Sequence, residues 1–179
     1  FGVILVRLGR QMIEVATFRT DGEYADGRRP DAVQFSTPEE DAQRRDFTIN
    51  GLFFDPIDER VIDFVGGQDD LQRRTLRAIG EPAKRFGEDY LRMLRAVRFA
   101  ARFDLSIDPT TADAIRANAP KLARISAERI ADELRRMLTP TTRGSAFRWL
   151  CELNLSNAIF SPLVEISSHA WHRDRSVIV

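Results

Sequence analysis

Apolar and polar positions follow the short period of strands over the first third of the chain and the longer period of helices beyond about Glu81. Residues 1–8 (FGVILVRL) are β-branched and apolar, and residues 12–19 (MIEVATFR) repeat that character after the polar Gly9-Arg10-Gln11, which predicts a hairpin with a short turn. Residues 21–30 (DGEYADGRRP) hold two glycines, a proline and no apolar period, and read as a loop. Thr37-Pro38-Glu39-Glu40 then marks a helix start, with Thr as cap, Pro in the first position and Glu three residues after the cap. Residues 52–55 and 60–65 flank Pro56-Ile57-Asp58-Glu59 as a second hairpin. Gly66-Gly67 ends it, and residues 68–74 predict a short helix.

The second half reads as helix. Asp108-Pro109 starts one, Ser126 caps another over residues 127–138 that Thr139-Pro140 stops, and a last one spans residues 143–153. The clearest segment is residues 88–103 (EDYLRMLRAVRFAARF). On a wheel of about 100° per residue with Asp89 at zero, Met93, Phe86, Val97, Tyr90, Ala101 and Leu94 fall between about 40° and 140°, a stripe to be buried. Arg92, Arg95, Arg98 and Arg102 fall on the other side as a continuous basic ribbon, and Asp89 precedes Arg92 by one turn, side by side with it. The pattern is α+β: a small sheet first, over residues 1–78, and an all-helical part over residues 79–179.

Length and composition refine this picture. A chain of 179 residues, 43% hydrophobic, can bury a real core. Basic and acidic residues balance at 27 each, which argues against a nonspecific polyanion binder, but 25 of the basic residues are Arg. That skew favours the planar fork that recognises phosphates, carboxylates and base edges. The charge is also sorted: residues 38–70 hold 3 basic and 10 acidic residues, whereas residues 71–102 hold 9 and 3. Cys151 is the sole cysteine, so an intrachain disulfide and a thiolate zinc site are excluded. No apolar run reaches the roughly 20 residues of a membrane span and no signal peptide is visible, so a cytoplasmic protein with no membrane partner is expected.

The side-by-side Asp89 and Arg92 carry a chemical meaning. A carboxylate accepts from an exocyclic amine and a guanidinium donates to a ring nitrogen. Cytosine and adenine offer an amine beside a ring-nitrogen acceptor on the Watson–Crick edge, whereas uracil and guanine offer a carbonyl beside an N–H. An Asp and an Arg held together could therefore accept C and A and reject U and G. An exposed i,i+3 ion pair is the plainer account. It leaves unexplained four aligned arginines with only Glu88 and Asp89 to balance them.

Four stretches, RRDFTIN at 44–50, DFVGGQDDLQRRTLR at 63–77, EDYLRMLRAVR at 88–98 and AERIADELRRML at 127–138, resemble the class II tRNA nucleotidyltransferase family, the CCA-adding enzymes and the bacterial poly(A) polymerases similar to them. The resemblance implies the remainder of a nucleotidyltransferase palm sheet followed by a helical neck and body that binds nucleotide and RNA. It implies addition of C and A to the tRNA 3′ end from CTP and ATP with Mg²⁺, with Asp89 and Arg92 as the amino-acid template that selects the base. Arg95 and Arg98 match further arginines near the nucleotide. Arg45 is implied near the triphosphate or base, with Asp46 and Asn50 toward the ribose, and Arg44 is either a phosphate clamp or an ion-pair partner of Glu40. Gly66-Gly67 with Asp70 matches a family hinge. Two glycines allow a close approach or a positive φ, and Asp70 could cap the helix that follows. The 21–30 loop resembles one that switches the family from C to A addition.

Phosphoryl transfer of this kind uses two metals held by carboxylates, typically an Asp-x-Asp on a strand. No Asp-x-Asp occurs in this sequence, so no metal ligand is expected in the chain. The chain reads as a fragment, inactive alone, whose metal ligands lie upstream. Glu14 matches a family acidic position on a strand beside the metal site and is the one candidate catalytic carboxylate. His169 and His172 are three apart but have only Asp174 as a nearby acid, too little for a metal site, and Trp149 and Trp171 read as core or interface residues. Three other readings stand beside the leading one: a poly(A) polymerase of the same family, a noncatalytic RNA-binding module whose arginines grip phosphates, and a structural ion-pair network. The sequence leaves oligomeric state open.

Overall fold

The computed structural model describes residues 3–21 and 33–160. The residues beyond these include most of the 21–30 loop, both histidines and Trp171. The fold is α+β, with antiparallel hairpins in the first half and helices in the second.

β1 (Val3–Leu8) and β2 (Gln11–Ala16) pair in register Val3↔Ala16 through Leu8↔Gln11, turning at Gly9, whose φ of +62° suits glycine. Every residue of both strands is exposed. β3 (Arg19–Asp21) pairs with β4 (Val33–Phe35), and β5 (Leu52–Asp55) with β6 (Arg60–Asp63). Between these hairpins lies α1 (Pro38–Gln43), opened by the predicted capping box. Thr37 Oγ1 accepts from the Glu40 N–H at 3.3 Å, and the Glu40 carboxylate accepts from the Thr37 N–H at 3.2 Å.

The glycine pair meets both physical expectations. Gly66 sits at φ +77°, and a Cβ on Gly67 would stand 2.3 Å from the Thr48 carbonyl oxygen, where only glycine fits. The next helix, α2 (Gly67–Gln72), is not capped by Asp70. Asp63 serves its entrance instead, accepting from the N–H groups of Val65, Gly66, Gly67 and Gln68. Asp70 lies inside the helix and turns inward to Thr48 Oγ1 at 2.7 Å and to Arg77. A mid-helix carboxylate that faces the core serves a partner there and leaves the first turn to a residue preceding it.

The two halves share one core. β7 (Thr75–Leu76) pairs in parallel with β8 (Ser106–Ile107), the one strand of the helical half among the described residues. Phe47, Leu76 and Ala78 belong to the same buried cluster as Phe86, Met93, Val97, Ile115, Leu150 and Leu155. Arg77 spans the joint, pairing with Asp70 at 3.1 Å and with Asp108 at 3.1 Å. Asp108 caps α5 (Pro109–Asn118) through the Thr111 N–H, as its Asp-Pro signature predicts. Ser126 occupies the cap position of α6 (Ala127–Met137) without a side-chain hydrogen bond, and α7 (Arg143–Glu152) follows.

The segment 88–103 is not one helix. α3 (Pro82–Glu88) ends at Asp89, whose φ of −155° and ψ of 107° are extended, and α4 (Arg92–Phe103) begins three residues on. The Asp89 carboxylate accepts from the Leu91 N–H at 3.0 Å, an Asx-type turn that competes with the helical ladder. Asp89 and Arg92 therefore do not stand one turn apart on a helix face. The apolar stripe is as the wheel places it: Phe86, Met93, Leu94, Val97 and Ala101 are buried and Tyr90 is partly so.

Candidate functional site

An open cavity of about 480 Å³ lies between the α1–β5 connection and the α3–α4 joint. Its lining includes Arg45, Asp46, Asn50, Asp89, Arg92 and Arg95, six of the eight residues that the sequence singles out. Local structure explains the grouping. α1 stops at Arg44, and the chain turns through Arg45 and Asp46 into a short 3₁₀ turn (Thr48–Asn50) that faces the start of α4. The helix break at Asp89 puts its carboxylate on the same side.

Each charge in the cavity has a partner. Arg45 pairs with Asp41 at 2.9 Å, donates to the Asn50 carbonyl at 2.9 Å, and lies 5.0 Å from the centre of the Phe53 ring. Arg44 pairs with Asp41 at 2.6 Å; Glu40, the partner in one of the two alternatives read for Arg44 from sequence, is engaged in the capping box. Asp46 accepts from the Phe47 N–H, from Asn50 Nδ2 at 2.9 Å and from Arg95 Nε at 2.7 Å. Asp89 pairs with Arg129 of α6 at 2.7 Å. Arg92 gives Nη1 to Glu88 and to the Arg85 carbonyl.

Within the ribbon expected along α4, Arg95 and Arg98 are neutralised by carboxylates distant in sequence and Arg92 by Glu88 four residues earlier, while Arg102 lies over the Phe103 ring. Arg98 is drawn away from the cavity into an ion pair with Glu133 of α6 at 2.7 Å, the two side chains being 11% and 5% exposed. Its other side meets the Phe99 ring at 4.5 Å. Glu14 stands on the exposed hairpin, opposite Leu5, and does not line the cavity.

Sequence reasoning missed Phe99, Leu91 and Arg129, which complete the lining. Phe99 had a signal: at about 280° on the wheel it falls among the arginines, an apolar ring on a polar face. Arg129 had none beyond its place in the AERIADELRRML stretch, because its partner lies 40 residues earlier.

Asp41, behind the cavity, is held below the ordinary carboxylate range. Burial pushes its carboxyl up, and the hydrogen bonds and charge of Arg44 and Arg45 outweigh it. Asp41 therefore stays ionised and keeps both guanidinium groups in place.

What remains for a ligand is specific. A carboxylate has about four acceptor positions and Asp89 uses two, while Arg92 spends only one of its three nitrogens. The cavity can offer acceptor capacity from Asp89 and donor capacity from Arg92, with Asn50 and further arginines in the same lining. It can bind an anionic ligand with a polar planar edge.

Residues 1–77 match the family model described as the Poly A polymerase head domain, and residues 104–166 that described as the probable RNA and SrmB-binding site of polymerase A. The fold is that of a nucleotidyltransferase head joined to a helical body. A CCA-adding enzyme of Streptococcus suis is 47% identical over 138 residues, 76% of this chain and 34% of its own length, and one of Geobacillus stearothermophilus is 44% identical over 155 residues, 86% and 38%. The crystal structure of the Bacillus stearothermophilus CCA-adding enzyme in complex with CTP matches at 40% identity and a TM-score of 0.77, over 86% of this chain and 37% of that one. A CCA-adding enzyme in complex with ATP matches at 26% identity and a TM-score of 0.72, over 99% and 43%. The chain belongs to the family of CCA-adding tRNA nucleotidyltransferases and poly(A) polymerases. It spans about a third of the length of these curated relatives.

Proposed function

We propose that the cavity selects CTP and ATP for addition of C and A to the 3′ end of tRNA, and that this chain supplies the nucleotide-reading part of that cytoplasmic enzyme. The carrying observation is that Asp89 and Arg92 line one cavity with Asp46, Asn50, Arg45 and Arg95 while keeping free acceptor and donor capacity. In this reading Asp89 accepts from the exocyclic amine of the base and Arg92 donates to its ring nitrogen. Asn50 and Asp46 face the ribose, and Arg44, Arg45 and Arg95 face the phosphates. Arg98 acts at one remove, by fixing α4 against α6. The names of the relatives, and the CTP and ATP in two matched structures, support this substrate pair.

Transfer of the nucleotidyl group calls for Mg²⁺, and the cavity's own residues do not fit it. Asp46 and Asp89 are each engaged by an arginine, and no group of three or more His, Cys, Asp or Glu among the described residues could hold a metal ion. Selection of the base needs only the side chains named above. Glu14 as a catalytic carboxylate stays a proposal on the family resemblance alone.

A titration of the 179-residue chain with CTP, ATP and UTP tests the reading. CTP and ATP should bind in preference to UTP, and Asp89→Ala or Arg92→Ala should weaken CTP by about tenfold or more. Equal affinity for UTP and CTP sinks it. Both matched family models carry a poly(A) polymerase name, which favours that activity as the second reading. Assay of the whole protein on tRNA lacking its terminal CCA separates the two, since a poly(A) polymerase would add long A tails and ignore CTP.

A further inference from the structure

Arg85 lies outside the cavity lining, yet its guanidinium touches both of the chain segments that build it. Nη2 donates to the Gln43 carbonyl at 2.6 Å and Nη1 to the Arg44 carbonyl at 3.2 Å, the last carbonyls of α1, directly before Arg45 and Asp46. Nε donates to the Ile79 carbonyl at 3.2 Å, in the connection between the halves. Nη1 also donates to the Glu88 carboxylate at 3.0 Å, and the same Glu88 oxygen accepts from Arg92 Nη1. The backbone of Arg85 closes the circuit, its carbonyl accepting from Arg92 at 3.0 Å. The side chain is 14% exposed, so these contacts are little shared with water.

We infer that Arg85 is a positioning residue for base selection, the tie that holds the base-facing wall, Glu88 to Arg92, in register with the wall formed by Arg44 to Asp46. This rests on the base-reading role of Asp89 and Arg92 proposed above. Capping the end of α1 explains the bonds to Gln43 and Arg44. It does not explain why the same fork also holds the carboxylate that holds Arg92. A planar guanidinium can meet three carbonyls and a carboxylate in fixed directions, whereas a lysine ammonium is a point charge with three donors.

The test is nucleotide titration of Arg85→Lys, Arg85→Ala, Arg92→Ala and the Arg85→Ala/Arg92→Ala pair, with Asp89→Ala as reference. Arg85→Lys should lower the preference for CTP over UTP by about tenfold. Because Arg85 acts through Arg92, its loss in the Arg92→Ala background should weaken CTP by less than about twofold. An unchanged preference in Arg85→Lys while Asp89→Ala loses its own overturns the tie and leaves base reading intact. Losses that multiply in the pair overturn it as well, since that is the behaviour of a simple cap. If Asp89→Ala keeps its preference, base reading fails, and amide hydrogen exchange still reads the tie. Arg85→Lys should quicken exchange in residues 44–50 and 88–92 together, and a change confined to one of them refutes it.

Discussion

Arg98 separates a binding residue from a holding one. With Glu133 it forms a buried ion pair, and breaking such a pair by removing one member costs roughly 3–5 kcal/mol because it strands the other. Glu133→Gln should therefore lower stability in urea unfolding by an amount of that order, reduced by whatever hydrogen bond the amide keeps. Replacing the pair together, Arg98→Met with Glu133→Leu, should restore most of it. CTP affinity should change little in the paired variant, in contrast to Arg92→Ala. That Asp89, Arg92, Asp46 and Asn50, which line one cavity, belong to one site was legible in the sequence from donor and acceptor types and from the family resemblance. Their partners were not. Asp46 and Arg95 are 49 residues apart, Arg98 and Glu133 are 35 apart, and no local spacing announces an ion pair closed by the tertiary fold.

Among the elements, those with local causes were legible. The capping box of α1, the Asp-Pro start of α5 and the β5–β6 hairpin stand where their turn and cap residues put them. The joint between α3 and α4 was hidden, because the apolar period runs through it unbroken and Asp89 stops the helix by a side-chain bond that periodicity does not register. The turn into α2 gives two tests. Gly67→Ala places a methyl against the Thr48 backbone, so the 3₁₀ turn carrying Asn50 must move, and destabilisation of about 1–3 kcal/mol is expected in urea unfolding. Asp63 gives a pH dependence. Partial burial raises its carboxyl, and the N–H bonds of Gln68, Val65, Gly67 and Gly66 more than reverse this, leaving it below the ordinary value. A depressed folded value means the contribution is complete above the unfolded carboxylate value of about 3.9 and disappears as pH falls through the folded one. Asp63→Asn should flatten the loss of stability as pH falls below about 4, measured by urea unfolding at each pH.

For the whole molecule, the sequence pattern divides the chain at residue 78; one matched family model ends at residue 77 and the other begins at residue 104. The packing is continuous across it. Phe47, Leu76 and Ala78 fill the core of the helical half, β7 lines up with β8, and Arg77 joins Asp70 to Asp108. A chain beginning at Ile79 should therefore expose apolar surface and lose its sharp thermal transition, with dye binding and calorimetry as the readouts. Intact melting of that shortened chain would show two independent cores.

The long-range arginine pairs also shape how this sequence can drift over generations. A change at Asp46 leaves Arg95 uncompensated, and a change at Glu133 does the same to Arg98, so each position is restrained by one far along the chain. Substitution should pass through both members in step, and among related proteins these columns should vary jointly or hardly at all. The inheritance of the cavity is then governed by its hidden counterions as much as by the side chains that face the nucleotide.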